Sequence, residues 1–270
     1  MLYVNEDLLM DLDSSSRIPR PLRVIFAIVL REMSSTAGRS SLGYLWAILE
    51  PIGAIIILTV AFSLVLRSPA IGDNFPLFYA TGFLPFSVYS VLQQKTGTAI
   101  SQNVPLLFYP EVTYLDAIIG RFILVFTTQC LVSLIVLSGI LLLYNLSPDI
   151  YLPYIVFAIF LAAFLGMAVG MLNSVLMFLL PSWRHLWGII TRPLFLASCV
   201  FYVFDTLPSW VQSVLWFNPL VHLVGLVRKG FFPIYEGTYI SITYVVGCSS
   251  FIMLAALFLL RRYSRDMINN

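Results

Sequence analysis

Six long apolar runs, separated by short polar stretches, dominate the pattern of the chain. A helix needs about 20 apolar residues to cross a bilayer, and the third and fourth runs exceed that length. The predicted spans are residues 44–66, 75–92, 116–144, 151–180, 186–204 and 239–260. In the fourth run, Gly166 and Gly170 form a small-xxx-small pair, a spacing that lets helices approach closely but that chance often produces. The pattern predicts an all-α polytopic membrane protein with a transmembrane domain at residues 44–262.

A further apolar stretch, residues 205–230, differs from the six predicted spans because Asn218 and Pro219 interrupt it near its middle. The residue before a proline avoids the α-helical region, so two shorter helices joined by a turn fit better than one span. We expect a re-entrant hairpin that enters and leaves at the outer face, its broken backbone shielded by protein or by a water-filled cavity. A loop lying flat on the outer leaflet is the alternative.

The segment before the first span contains an apolar run, residues 24–30, that is too short to cross a membrane. At about 100° per residue, Arg20, Arg23 and Arg31 share one helix face, and apolar residues cover the rest. Within a cytoplasmic N-terminus of residues 1–43, we therefore expect an amphipathic helix that lies in the membrane interface. Its arginines would meet lipid phosphates or the acidic surface of a partner or substrate.

The distribution of basic residues predicts the orientation of the spans, because cytoplasmic loops carry an excess of lysine and arginine. With the N-terminus inside, eleven basic residues fall on the cytoplasmic side, and Arg67, Arg228 and Lys229 fall outside. Arg121, in the first turn of the third span, is left uncounted. This bias predicts that both termini are cytoplasmic, with a short tail at residues 263–270.

Composition excludes a soluble protein. Hydrophobic residues make up 60% of the 270-residue chain and charged residues 10%, with a mean hydropathy of +0.93. A soluble domain carries about 25% charged residues, so too few charges remain to cover a water-facing surface. The three cysteines lie far apart in apolar runs, which favours packing roles over a disulfide or a metal site. We expect no nucleic-acid partner.

Several kinds of chemistry are missing from the sequence. There is no GxxxxGK[ST] phosphate loop, no HExxH or GxSxG motif and no cysteine–histidine cluster, and His185 and His222 favour structural roles. Ion-coupled carriers keep acidic residues deep in the membrane, but here Glu50 alone lies inside a predicted span, about two turns from its start. We expect no cofactor or metal in this chain, and we expect any uphill transport to draw energy from another subunit. A membrane-embedded acyl or glycosyl transferase is the alternative class.

A compact apolar segment interrupts the loop of residues 95–115, between the second and third spans. A plain cytoplasmic loop has no reason to present such residues to water, and an exposed apolar patch usually marks an interface. The candidate interface residues are Val104, Pro105, Leu106, Leu107, Phe108, Tyr109, Pro110 and Glu111.

Three segments together resemble the ABC-2 type permeases that export bacterial polysaccharides. The first is the entry to the first span. The apolar segment just described resembles the family's coupling segment, and the hairpin resembles its re-entrant exit motif. The residues that carry the resemblance outside the coupling segment are Leu42, Gly43, Trp46, Glu50, Pro51, Asn218, Pro219, Leu220 and Arg228. The match covers nearly the whole chain and is nearest to the capsular polysaccharide permeases. Arg184 followed by His185 departs from the Arg-Asp pair of many relatives, which blurs the division between capsule and O-antigen exporters.

The resemblance implies six spans per subunit and a homodimer of permeases in the bacterial inner membrane. It also implies two copies of a separate ATP-hydrolysing subunit on the cytoplasmic face, which would hold ATP and Mg²⁺ and would move the coupling segment. The cargo would be a lipid-anchored polysaccharide that passes between the permeases and onward to periplasmic and outer-membrane export proteins. O-antigen, teichoic acid or a drug are alternative cargoes within the same class.

Glu50 and Pro51 mark a candidate gate near the start of the first span. Proline removes a backbone hydrogen bond and clashes with the carbonyl four residues back, at Ala47, so we expect a kink between Ala47 and Pro51. Glu50 would pair with an arginine of the interfacial helix, such as Arg31 or Arg39, or would face the transport path. The candidate gate residues are Tyr44, Trp46, Glu50 and Pro51.

Aromatic and basic residues of the hairpin are candidates for contact with the cargo. Aromatic rings offer a large apolar face with little entropy to lose, although tryptophan and tyrosine gather at membrane interfaces in any case. Arg228 and Lys229 would bind lipid headgroups or guide an emerging anion, and Trp183 and Trp187 would anchor the cytoplasmic interface. The hairpin candidates are Trp210, Trp216, Phe217, Asn218, Pro219, Arg228 and Lys229.

Overall fold

The computed structural model describes residues 20–39, 43–107, 109 and 112–269 of the chain. Within these residues the protein consists of α-helices, one 3-10 turn at Phe204–Thr206 and no strand. The helices are α1 (Arg20–Arg39), α2 (Gly43–Ser63), α3 (Phe75–Gly97), α4 (Ala99–Gln102), α5 (Val104–Leu107), α6 (Tyr114–Leu143), α7 (Leu152–Leu179), α8 (Trp183–Leu196), α9 (Ser209–Leu215), α10 (Pro219–Phe231) and α11 (Ile242–Asn269). The all-helical architecture that the sequence predicts is confirmed.

Among the described helices, five are long and apolar enough to cross a membrane: α2, α3, α6, α7 and α11. They correspond to the first four predicted spans and the last one. α3 continues to Gly97, beyond the predicted end at residue 92. α11 continues to Asn269, so the predicted tail at residues 263–270 is helical as far as that residue. The apolar runs therefore located these spans but not their polar extensions.

The fifth predicted span, residues 186–204, differs from the structure. Its helix, α8, has 14 residues and ends at Leu196, short of the about 20 residues of a full helical crossing. The chain then turns through residues 197–203, where Cys199 has a φ of 58°, in the left-handed region. Because the apolar run continues through this turn, hydropathy gave no sign of where the helix ends.

The stretch predicted as a hairpin forms two helices, α9 and α10, that meet at an angle of 104°. The break lies at residues 216–218, directly before Pro219, as the sequence predicts. The two helices have 7 and 13 residues. Counted as one broken span, they raise the number of possible crossings in the described part of the chain from five to six.

α3 and α7 form the centre of the molecule. In the most apolar windows of these helices 67% and 61% of the residues are buried, against 11% in α2 and 17% in α11. α10 packs against both central helices, and Leu92, Leu165 and Leu223 belong to the apolar core that the three share. The outer helices α2 and α11 expose large apolar side chains such as Ile57 and Phe258, as surfaces that face lipid would.

Two glycines of α7 let this helix lie directly against α3. A methyl group at Gly166 would come within 2.9 Å of the Tyr89 carbonyl oxygen, and one at Gly170 within 2.7 Å of the Gln93 carbonyl oxygen. Neither position has room for a side chain. The four-residue spacing is therefore a real packing contact here, and the central helix pair is held at its closest points by backbone against backbone.

We expect Gly170→Ala to destabilise the protein by about 1–3 kcal/mol, the usual cost of forcing an extra group into a packed site. α3 and α7 would have to separate to admit the methyl group. Gly139→Ala, in α6, is the matched control, because a methyl group there meets nothing within 4 Å. Thermal unfolding of the detergent-solubilised chain should show a lower midpoint for Gly170→Ala and an unchanged or higher one for the control. Equal midpoints would contradict the close packing.

Candidate functional site

Arg121, near the start of α6, joins three elements at one end of the molecule. Its side chain is buried, forms an ion pair with Glu32 of α1 and donates a hydrogen bond to Gln102 of α4. A single buried cation therefore ties α6 both to α1 and to the loop that was predicted to couple the chain to a partner. Arg121 could not be assigned a role from the sequence, because neither of its partners is near it along the chain.

α1 packs against α6 beside this ion pair. Ile28 is buried, and a methyl group at Gly120 would come within 3.0 Å of its Cγ2 atom. Arg23 is half-buried and Arg31 is exposed, while the side chain of Arg20 lies outside the described residues. The predicted helix is thus present and docked on α6, and its position in the membrane interface stays a prediction.

The predicted coupling segment is partly anchored and partly exposed. Leu107 is buried, Val104 and Leu106 are half-buried, and Pro105 is exposed. Tyr109 is 64% exposed, so an aromatic ring stands out from the segment. The members that lie outside the described residues are Phe108, Pro110 and Glu111.

Side-chain hydrogen bonds fix both ends of this segment. Before it, Asn103 donates to the Ala99 carbonyl at 2.9 Å and accepts from Arg31 at 3.4 Å. After it, Thr113 and Asp116 form a capping box: the Asp116 carboxylate accepts from the Thr113 amide at 2.9 Å, and the Thr113 hydroxyl accepts from the Asp116 amide at 3.2 Å. A displacement of the exposed residues would therefore pass to α1 and α6.

The predicted ion pair between Glu50 and an arginine of α1 is not formed with the described side chains. Glu50 is exposed, and among the described residues it has no hydrogen bond or ion pair. Arg31 donates to Asn103 instead, and the side chain of Arg39 lies outside the described residues. α2 continues as a helix through Pro51, and the kink stays a prediction.

Asn218 and Pro219 build the corner between α9 and α10. Pro219 occupies the first turn of α10, and the Asn218 side-chain oxygen accepts from the Leu220 amide at 3.0 Å. The Asn218 side-chain nitrogen donates to the Ala197 carbonyl at 3.0 Å, directly after α8. One side chain therefore fixes both the hairpin corner and the end of α8.

Trp216 is held in place by contacts within the hairpin region. Its indole nitrogen donates to the Tyr239 carbonyl at 3.2 Å, and its ring centre lies 4.9 Å from that of Tyr244. Buried His222 accepts from the Ser241 amide at Nδ1, 3.2 Å away, so its Nε2 donates to the Trp216 carbonyl at 2.8 Å. This arrangement assigns His222 the structural role that the sequence favours.

The loop between α10 and α11 closes over this cluster. Burial raises the pKa of Tyr235, so its phenol stays protonated and donates to the Tyr239 hydroxyl at 3.0 Å. Tyr239 in turn stacks on Phe204, with ring centres 4.0 Å apart. The loop is therefore a packed part of the hairpin region.

Of the aromatic residues predicted to form the gate or to contact the cargo, Trp46, Trp210 and Phe217 remain exposed, at 65%, 74% and 67%. Trp216 is half-buried and occupied by the contacts just described. The side chain of Tyr44 lies outside the described residues.

Arg228 lies inside the protein, so the prediction that it meets lipid headgroups or an emerging polymer is wrong. It is 1% exposed. Its guanidinium donates to the Tyr202 carbonyl at 2.7 Å and the Val200 carbonyl at 2.9 Å, and it lies 4.4 Å from the centre of the Phe78 ring. The backbone of α3 at Gly82 also lies directly against the Val200 carbonyl, because a methyl group at Gly82 would come within 2.9 Å of its oxygen. Arg228 therefore supplies hydrogen bonds to the non-helical turn that follows α8.

Lys229, the next residue, is half-buried and donates to the Glu236 carbonyl at 2.8 Å. Its ammonium group lies 5.7 Å from the centre of the Tyr154 ring, and it lines a cavity of about 680 Å³ that Asp149 also lines. Its predicted contact with headgroups or with an emerging anion stays a prediction.

A polar network that the sequence analysis missed fixes α8 against α3 and α7. Trp183 donates from its indole to the Asn173 side chain at 2.9 Å, and Trp187 donates to the Gln93 side chain at 2.9 Å. Asn173 also donates to Gln93 at 3.3 Å. Both indole nitrogens thus point into the protein, although an interfacial belt was predicted. The sequence feature that could have revealed this network is Asn173, an amide side chain within the apolar run of the fourth predicted span.

Comparisons with known proteins find sequence similarity along most of the chain. The sequence profile of the family described as "ABC-2 type transporter" matches residues 23–232. The chain is 30% identical over 223 residues to the polysialic acid transport protein KpsM of Escherichia coli, covering 81% of this chain and 85% of that protein. It is 24% identical over 245 residues to the capsule polysaccharide export inner-membrane proteins CtrC of Neisseria meningitidis serogroup B and BexB of Haemophilus influenzae, covering 91% of this chain and 92% of each relative.

We expect Arg228→Met to destabilise the protein strongly, by about 1–3 kcal/mol for each carbonyl that loses its partner. Lys229→Met is the matched control, because it removes the same charge at a half-buried neighbour that donates to one carbonyl, that of Glu236. The measurements are the yield of monodisperse protein in detergent and its unfolding midpoint. A midpoint for Arg228→Met at or above that of the control would place the arginine at the surface after all.

Proposed function

The chain belongs to the ABC-2 type transporter family, and on this premise we propose that it is the permease of an ABC transporter that exports capsular polysaccharide across the bacterial inner membrane. The observation that carries the proposal is the extent of the match to capsule export permeases, 91% of this chain and 92% of CtrC and of BexB. So long a match takes in the spans, the coupling segment and the hairpin together, and not one motif alone.

The energy for export comes from a separate subunit that binds ATP and Mg²⁺. This chain has no GxxxxGK[ST] loop in its sequence, and transporters of its family work with an ATPase. In the proposed assembly two copies of the chain join two copies of that ATPase on the cytoplasmic face. Periplasmic and outer-membrane export proteins then take over the polymer.

The stroke of the ATPase enters through the coupling segment. Tyr109 offers an exposed ring that fits a groove on a partner protein. The segment is fixed at Asn103 and at the capping box of Thr113 and Asp116, and Arg121 links its neighbour Gln102 to α1 and α6. A push on Tyr109 therefore moves α1 and α6 together against the rigid pair α3 and α7.

Both termini lie in the cytoplasm, which requires an even number of crossings. Five long spans are present in the described residues. We assign the sixth crossing to α8 together with the turn at residues 197–203, and not to the broken pair α9 and α10, which enters and leaves at one face. Irregular backbone is tolerated in a membrane where protein shields it. Arg228 and Asn218 supply that protection, since they bind the carbonyls of Val200, Tyr202 and Ala197.

The cargo slides over exposed aromatic rings. Trp46, Trp210 and Phe217 are exposed, and flat rings bind sugar faces through many weak contacts. Glu50 is exposed and has no partner among the described side chains. This favours a role for Glu50 in gating over a structural ion pair.

Co-purification in detergent tests the class of protein. Tagged chain, expressed with the genes that surround it, should retain an ATPase subunit in equal numbers, and export by the complex in sealed vesicles should require ATP. Uphill transport by the isolated chain with an ion gradient alone would overturn the proposal.

Tyr109→Ser should uncouple the transporter. ATP hydrolysis by the complex would persist while polysaccharide export falls at least tenfold, because the ring that transmits the stroke is gone. Tyr144→Ser, just beyond the opposite end of α6, is the control, since Tyr144 is 51% exposed and lies far from the coupling segment. Export and hydrolysis measured on the same vesicles should stay coupled in the control, and unchanged export by Tyr109→Ser would refute this route.

A further inference from the structure

A cleft between α3 and α8 lies beside the polar network of Gln93 and Trp187. Its volume is about 650 Å³, within the range of about 300–1,000 Å³ typical of small-molecule sites. Thr98 and Arg184 line one end, and Phe86 and Phe195, with ring centres 4.8 Å apart, line the other. α8 buries none of its residues, so the wall that it contributes is open to a ligand.

The cleft carries two positive charges and no negative one among its described lining residues, because Arg184 and Arg192 line it and no carboxylate does. Both arginines are exposed, and within the described part of the chain neither forms a hydrogen bond or an ion pair. They lie eight residues apart on α8 (192 − 184), about 12 Å along the helix axis. Guanidinium groups placed this way match an anionic ligand.

An aromatic ring lies between the two arginines along α8. Trp187 lines the cleft, its indole nitrogen is bonded to Gln93 at 2.9 Å, and its ring stacks on Trp183 at 6.1 Å. The ring is thus held in one orientation before a ligand arrives, which lowers the entropy cost of binding. Ser90 and Gln94 add a hydroxyl and an amide to the opposite wall.

We propose that this cleft binds a short stretch of an acidic polysaccharide, with one carboxylate at Arg184, a second at Arg192 and a sugar ring against Trp187. Two cations alone would suit any anion, but a fixed aromatic ring beside an amide and a hydroxyl suits a sugar face and its hydroxyl groups. The inference rests on the proposed function and narrows it: Arg184 lies on the predicted cytoplasmic side, so the cleft selects anionic polymers before they cross.

Direct binding to the full chain in a neutral detergent tests this site. The probes are a hexamer of galacturonic acid and its methyl ester, which keeps the rings and removes the charges, with affinity measured by calorimetry. The acid should bind at least tenfold more tightly than the ester. The double variant Arg184→Gln/Arg192→Gln should weaken acid binding at least tenfold and leave ester binding within about twofold. Trp187→Leu, if its unfolding midpoint is unchanged, should weaken both probes.

The control is Arg261→Gln/Arg262→Gln, which removes the same number of charges from exposed positions of α11 and should leave acid binding within about twofold of the wild type. Equal loss in the two double variants, or no binding of the acid to the wild type, would overturn the proposal. The proposal would also be overturned if short-chain phosphatidylglycerol displaced the acid and bound more tightly, because the cleft would then be a lipid site. Binding needs neither ATP nor an ATPase, so this result and the test of the proposed function can fail separately.

Discussion

The rest of this structure depends on one constraint: backbone groups that lack helical partners inside an apolar protein must find other hydrogen-bond partners. After α8 the chain leaves the helix at residues 197–203, where each unpaired carbonyl would cost about 1–3 kcal/mol. Arg228 and Asn218 bind these carbonyls, and both belong to the hairpin. The hairpin and the broken end of α8 are therefore one structural unit. Its geometry places α8 beside α3, and with it the arginines of the cleft.

Two buried arginines have different structural roles in this molecule: one binds backbone carbonyls and the other forms an ion pair. Arg228 lies against the rigid centre, where carbonyl groups and the Phe78 ring stabilise its charge. Arg121 lies at the other end and pairs with Glu32 across two elements that are distant in sequence. This ion pair links α1 to α6, whereas the glycine contacts hold α7 directly against α3. In the proposed mechanism, the linked helices α1 and α6 transmit a stroke that is applied from outside.

The candidate site was predictable where its signals are local. A proline after an asparagine predicted the hairpin corner, and an apolar segment in a polar loop predicted the exposed Tyr109. The roles of single side chains were harder to predict from the sequence. Trp216 and Phe217 are neighbours of the same chemical class, yet Trp216 is occupied by Tyr239, His222 and Tyr244 while Phe217 is exposed. No local pattern separates them, because the difference arises from residues that reach the hairpin from the loop before α11 and from α11 itself.

The sequence by itself determined the five long spans, the helix before them and the position of the break at Asn218 and Pro219. Each of these follows from hydropathy summed over neighbouring residues or from the backbone limits of one proline. The tertiary structure alone decided where α8 ends, that Arg228 is buried, and that Arg121 joins Glu32 and Gln102. These features depend on partners tens of residues away along the chain. An arginine in an apolar stretch looks the same in sequence whether lipid headgroups or buried carbonyls receive its hydrogen bonds.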